Sequence, residues 1–157
     1  MADTPRQFLG KVTIDEVSLA PASPEQEHER QVAVTDLLRD NQFEPEDGPG
    51  GPYELKIGMV EERLVLDIVG EGYERRHILS LSPFRRIVRD YMTICRSYND
   101  AVQSASPAQI EAIDMGRRGL HNDGSTLLQE RLAGKATTDF PTARRLFTLI
   151  CALHWRG

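Results

Sequence analysis

"YERRHILSLSPFRRIVRDYMTICRSYNDAV", Tyr73 to Val102, changes its hydrophobic period part-way through. Up to Leu81 apolar and polar residues trade places as in a half-buried strand. Beyond it Phe84, Ile87, Val88, Tyr91, Ile94, Cys95, Tyr98 and Val102 recur every three or four positions, the spacing of one helix face. A Ser-Pro pair marks the switch: Ser82 is placed to cap, and Pro83 suits a first turn, where its missing N–H costs nothing. Strands before this point and helices after it describe an α+β chain, not an alternating α/β one.

Upstream, "KVTIDEVSL", Lys11 to Leu19, reads as a strand with Val12 and Ile14 on one face. "SPEQEHERQVAVTDLLRDN" then opens a helix: Ser23 caps, Pro24 fits the first turn, Gln26 completes a capping box, and Glu25 and Glu27 favour the positive helix end. Val34, Leu37 and Leu38 form its buried stripe, while Glu25, Glu27, Glu29 and Arg30 around His28 read as a solvated face. "EPEDGPGGP", Glu44 to Pro52, can continue neither element and is expected to be a mobile surface loop. "YELKIGM" sets Tyr53, Leu55, Ile57 and Met59 on one face, and "RLVLDIV" does the same for Leu64, Leu66 and Ile68, with Val60 to Glu62 turning between them and Gly70 to Gly72 leading into the next strand.

Downstream, Ser106 and Pro107 launch a helix that is expected to pause at Asn122 to Gly124 before "STLLQERLAGK" resumes. Asp139, with Pro141 two residues on, starts "TARRLFTLICALHW", whose scant polar face marks it as the central buried helix. The expected architecture is a four-stranded antiparallel sheet, with one helix after its first strand, packed against a C-terminal layer of three to four helices. It forms a single domain over residues 1–157, with residues 1–10 flexible.

With 157 residues the chain can bury about two-thirds of its unfolded surface. Its 39% hydrophobic and 27% charged residues are those of an ordinary globular protein. No apolar run approaches the roughly 20 residues that span a bilayer; the longest, Phe147 to Trp155, is interrupted by Thr148 and His154. "MADTPRQFLGK" lacks the apolar segment of a secretory signal, so a cytoplasmic protein is expected. Cys95 and Cys151 lack a CxxC partner and read as free buried thiols. Charge is polarised: residues 1–80 carry 8 Lys and Arg against 17 Asp and Glu, and residues 81–157 carry 11 against 7. The two halves could pair across the fold, or the arginines could serve an anion.

The segments "HILSLSPFRRIVRDY", "QIEAIDMGRRGLHNDGS" and "ARRLFTLICALHWRG", with "PEQEHERQVAVTDLL" and "GGPYELKI" before them, resemble the small bacterial proteins grouped as uncharacterised protein family 0262. The resemblance spans nearly the whole chain and implies a bacterial, single-domain, cytosolic protein. It carries no activity, cofactor or partner.

"DMGRRGLHNDGS", Asp114 to Ser125, is the candidate site. On a helix, Asp114, Arg118, His121 and Ser125 fall on one polar stripe, while Gly116 and Gly119 admit a close neighbour. A break at Asn122-Asp123-Gly124 would aim fresh backbone N–H groups at an anion that Arg117, Arg118 and His121 surround. The structural alternative pairs Asp114 with Arg118, uses the glycines for helix packing and treats Asn122 to Gly124 as a plain turn. Arg144 and Arg145, near the start of the last helix, are unfavourable to its dipole unless an acid or a ligand uses them. His77, His121 and His154 show no HxxxH or HExxH spacing, so no metal site is expected. Glu54-x-Lys56 is too common on amphipathic strands to indicate a nuclease.

These residues point first to a binding or regulatory protein with an Arg- and His-lined site for phosphate or a nucleotide, formed by Arg117, Arg118, His121, Asn122, Ser125, Arg144 and Arg145. An enzyme acting on a phosphorylated substrate, with His121 as acid or base and Asp114 beside it, is the second reading. A structural module or homodimer is the third. A small anion or an acidic protein surface is the expected partner; scarce lysine and a net charge of -5 disfavour nucleic acid.

Overall fold

Period-two alternation becomes a sheet with one apolar face. The computed structural model describes residues 6–153. Its main sheet holds β1 (Leu9–Ile14), β3 (Tyr53–Val60), β4 (Arg63–Gly70) and β5 (Tyr73–Ser80) in the order β1-β3-β4-β5. Leu55 sits opposite Ile68, Ile57 opposite Leu66, and Leu64 opposite Leu79, and all six are buried on the same face. The other face carries Lys56, Asp67 and Arg76 in register, with an Arg76–Asp67 ion pair at 2.7 Å.

The last three strands form the antiparallel meander expected from their turns. The first does not follow suit, so the sheet is mixed: β1 runs parallel to β3. The reason lies in α1 (Pro24–Arg39), which carries the chain back across the sheet, and such a crossover delivers the next strand in the same direction. β1 also starts earlier than its alternation suggested, and Leu9, within the stretch expected to be flexible, is 1% exposed.

A second sheet was not anticipated. β2 (Phe43–Pro45) pairs antiparallel with β6 (Ala136–Thr138), taking Glu44 and Pro45 out of the expected loop. The rest of that loop is pinned: the Tyr73 hydroxyl donates to the Glu46 carbonyl, and the Gly50 N–H donates to the Tyr53 hydroxyl at 2.7 Å. Two aromatic side chains on the sheet thus hold a segment that composition alone marks as mobile.

The helical layer comprises α1, α2 (Arg85–Ser104), α3 (Pro107–Leu132) and α4 (Phe140–Ala152). Both Ser-Pro capping boxes form, at Ser23 with Gln26 and at Ser106 with Gln109. Asp139 caps α4 by accepting from the Thr142 N–H at 3.0 Å. Ser82 does not cap. The chain passes through a 3-10 turn, Ser82–Phe84, and the Ser82 hydroxyl meets that of Ser80. α4 is the buried central helix that its composition requires, with Ala143, Phe147 and Leu149 fully enclosed.

α3 runs unbroken through Asn122 to Gly124, contrary to the expected pause. Packing overrides the local turn preference: the Phe147 ring of α4 occupies the space a Gly124 side chain would take, and the Ser125 hydroxyl is satisfied inside the helix by donating to the His121 carbonyl at 2.7 Å. Arg30 departs further from expectation. It is 1% exposed, not solvated, and donates from Nε to the Ala152 carbonyl and from Nη2 to the Leu153 carbonyl, each at 3.0 Å, while Nη1 meets Glu16. A side chain on α1 therefore serves the orphan carbonyls at the end of α4. No helix among the described residues is long and apolar enough to cross a membrane.

Candidate functional site

The small β2–β6 sheet places the start of α4 beside the end of α1. The Gln42 N–H donates to Thr142 Oγ1 at 2.8 Å, and Arg145 Nη1 donates to the Asp40 carbonyl at 2.6 Å. α3 crosses on the other side. Between them lies an open pocket of about 380 Å³ walled by Arg117, Arg118 and His121 from α3, Arg144, Arg145 and Thr148 from α4, and Tyr91 from α2. Five of the seven residues expected to bind a ligand meet here.

The other two do not. Without a break in α3, no helix N-terminus exists at Asp123 or Ser125 to donate amides. Ser125 is wholly buried in its back-bond to His121, and Asn122 is exposed on α3 and does not line the pocket. Asp114 proves to be a counter-ion: Arg117 reaches it at 2.5 Å and Arg118 at 2.9 Å. Gly116 lies against Ile94 of α2, whereas Gly119 faces open space.

His121 is held from both sides. The single Thr148 hydroxyl proton goes to the Arg144 carbonyl at 3.1 Å. Thr148 Oγ1 must then accept from His121 Nε2–H, 2.7 Å away, which leaves Nδ1 to accept from Arg144 Nε at 3.4 Å. Tyr91 and Phe147 pack on the same ring, with centroids at 5.2 and 5.3 Å. Burial, with Arg144 and Arg117 nearby, pushes the imidazole down to about 4. At neutral pH His121 is an uncharged acceptor that fixes an arginine, with a basicity poorly matched to proton transfer.

The electrostatics follow from this inventory. Arg117 and Arg118 share one carboxylate; Arg117 also stacks over the Tyr98 ring at 4.1 Å. Arg145 is held by a backbone carbonyl and Arg144 by a neutral ring, and neither has a carboxylate partner among the described residues. Four guanidinium groups therefore border one small volume, and no carboxylate is among its described lining residues.

Sequence reasoning missed Tyr91 and Thr148. Tyr91 was assigned to the core stripe of its helix, which it also serves. Thr148 had a signal, as a hydroxyl inside an otherwise apolar run. Of the three histidines whose spacing argued against a metal site, His77 and His121 lie on β5 and α3, and His154 falls outside the described residues. Among the described residues no group of three His, Cys, Asp or Glu side chains is arranged to hold a metal ion.

The profile of the uncharacterised protein family UPF0262 matches residues 6–156. The chain belongs to that family. A UPF0262 protein of Phenylobacterium zucineum is 65% identical over the full length of both chains. That of Caulobacter vibrioides is 62% identical, covering 95% of this chain and 94% of its own. The UPF0262 protein of Brucella canis is 56% identical over 99% of each. No solved structure matches the chain. For UPF0262 the relatives supply a lineage, and chemistry has to be argued from the pocket.

Proposed function

We propose that this protein binds a small phosphate-bearing anion between α3 and α4 and acts as a binding or regulatory protein of the bacterial cytoplasm. The observation that carries the reading is Arg144. Its guanidinium is oriented by His121 Nδ1, has no carboxylate partner among the described residues, and stands in a pocket with three further arginines. Holding like charges together disfavours the fold unless an anion relieves them, and planar guanidinium forks match phosphate oxygens in pairs. An aspartate within the pocket would have offset the charge at less cost. Asp114, outside the pocket lining, is already divided between two arginines.

The test is thermal unfolding of wild type and Arg144→Gln with inorganic phosphate, sulfate and nucleotides. A ligand confined to the native state at one hundred times Kd adds about 2.7 kcal/mol, a readily visible shift. Wild type is expected to be stabilised selectively by phosphate-bearing compounds and Arg144→Gln to lose most of that response. A wild type whose unfolding temperature ignores every phosphate-bearing anion would sink the reading.

A further inference from the structure

The cationic pocket does not end at its own wall. Tyr91 and Thr148 also border a second, larger groove of about 570 Å³ between α1 and α2, floored by α4. Its character is opposite: Val32 and Ala33 line it from α1, Met92 and Cys95 from α2, Cys151 and Ala152 from α4. Val32, 46% exposed, is one of the large apolar side chains left open to water. Burial pushes the Cys151 thiol up, so it contributes apolar surface and no thiolate.

We infer that the two cavities form one binding cleft for an amphiphile, whose phosphate head enters the arginine pocket and whose apolar body lies along the α1–α2 groove past Tyr91 and Thr148. The inference rests on the anion reading and names the class of molecule that the site takes. Each volume falls within the usual range of ligand cavities, and the shared residues make them neighbours by construction. Tyr91 suits the junction: its ring packs at an angle against His121 and edge-on against Phe147, and burial raises its hydroxyl, so it stays neutral between a charged and an apolar compartment.

Charge fixes the polarity of the occupant. The groove carries charges of both signs, Asp36 on its α1 wall and Arg96 on its α2 wall, whereas the α3–α4 pocket presents four arginines. An anionic head is therefore drawn to the pocket, where cations are concentrated, and the groove is left to the apolar body. Arg144 is exposed at that end and is aimed by its bond to His121.

The experiment is calorimetric titration with inorganic phosphate, butyl phosphate, octyl phosphate and octanol, all below micelle-forming concentrations. Affinity is expected to rise along the phosphate series by about fourfold for each methylene fully buried. Octyl phosphate should bind at least a hundredfold more tightly than octanol, and Arg144→Gln should remove that preference. Val32→Asp, which sets a carboxylate in the groove at a position that tolerates polarity, should flatten the chain-length series. Phosphate binding with a flat series in wild type overturns the joined cleft and leaves the anion site standing. Equal binding of octanol and octyl phosphate also overturns it, since the head then makes no use of the arginines. If neither phosphate nor its esters bind, the anion reading fails with it.

Discussion

His121 shows how a residue can be found for one reason and matter for another. Its place among arginines and glycines singled it out, but its two nitrogens are already engaged by Thr148 and Arg144. Neutrality in the folded state has a measurable consequence. An unfolded histidine gains its proton near pH 6.5, whereas His121 in the native protein waits until about 4. Between those values the unfolded state binds the extra proton, so stability is complete above about pH 6.5 and falls as pH drops toward 4. Urea unfolding at pH 7.0, 6.0 and 5.0, above the range where most carboxylates titrate, should show this slope in wild type and a shallower one in His121→Gln. Equal slopes would mean that the imidazole titrates normally. Arg144 and Arg145 were legible because cations near a helix N-terminus are out of place, and Arg117 and Arg118 because they share one short stretch with glycines and His121. Arg30 was not, because its neighbours in sequence are glutamates and only the end of α4, more than a hundred residues away, explains its burial.

Helix starts with a local chemical mechanism were the most readable elements. Ser23 with Gln26, the Ser106-Pro107 start and Asp139 do what their sequences require, whereas Ser82 does not cap. The misreading of Asn122-Asp123-Gly124 has a different origin. These residues favour a turn in an isolated peptide, but in the fold the absence of a side chain at Gly124 is filled by Phe147, a contact no local rule contains. The glycines of α3 should accordingly separate. Gly119 faces open space in a continuous helix, so Gly119→Ala is expected to stabilise by about 0.5–1 kcal/mol. Gly124→Ala drives a methyl into the Phe147 ring and should cost about 1–3 kcal/mol. Denaturant midpoints of the two variants measure the contrast, and a destabilised Gly119→Ala would show that α3 is not a regular helix there. β1 was legible as a strand but not in its direction, since alternation says which side chains point inward and nothing about the partner. The pairing of β2 with β6 joins residues about 90 positions apart, each strand only three residues long, too short for a period to declare itself.

Across the whole molecule, the polarised charge of the sequence did not resolve into one half neutralising the other. Arg85 does pair with Glu62, but the pocket arginines take Asp114 on their own helix, a backbone carbonyl and an imidazole instead. The deeper tie between the halves is Arg30, which anchors α4 to α1 and to Glu16 beyond β1. Arg30→Ala leaves two buried carbonyls without donors and should cost about 3 kcal/mol in urea unfolding. A loss below about 1 kcal/mol would mean that water replaces the guanidinium freely. The contact between Gly124 and Phe147 also reaches beyond stability. It lets the tip of the Phe147 ring rest against the α3 backbone, and the guanidiniums of Arg117 and Arg118 on one helix and Arg144 and Arg145 on the other are spaced by that approach. One absent methyl group thus acts as the gauge of the pocket, setting the gap between its two pairs of arginines.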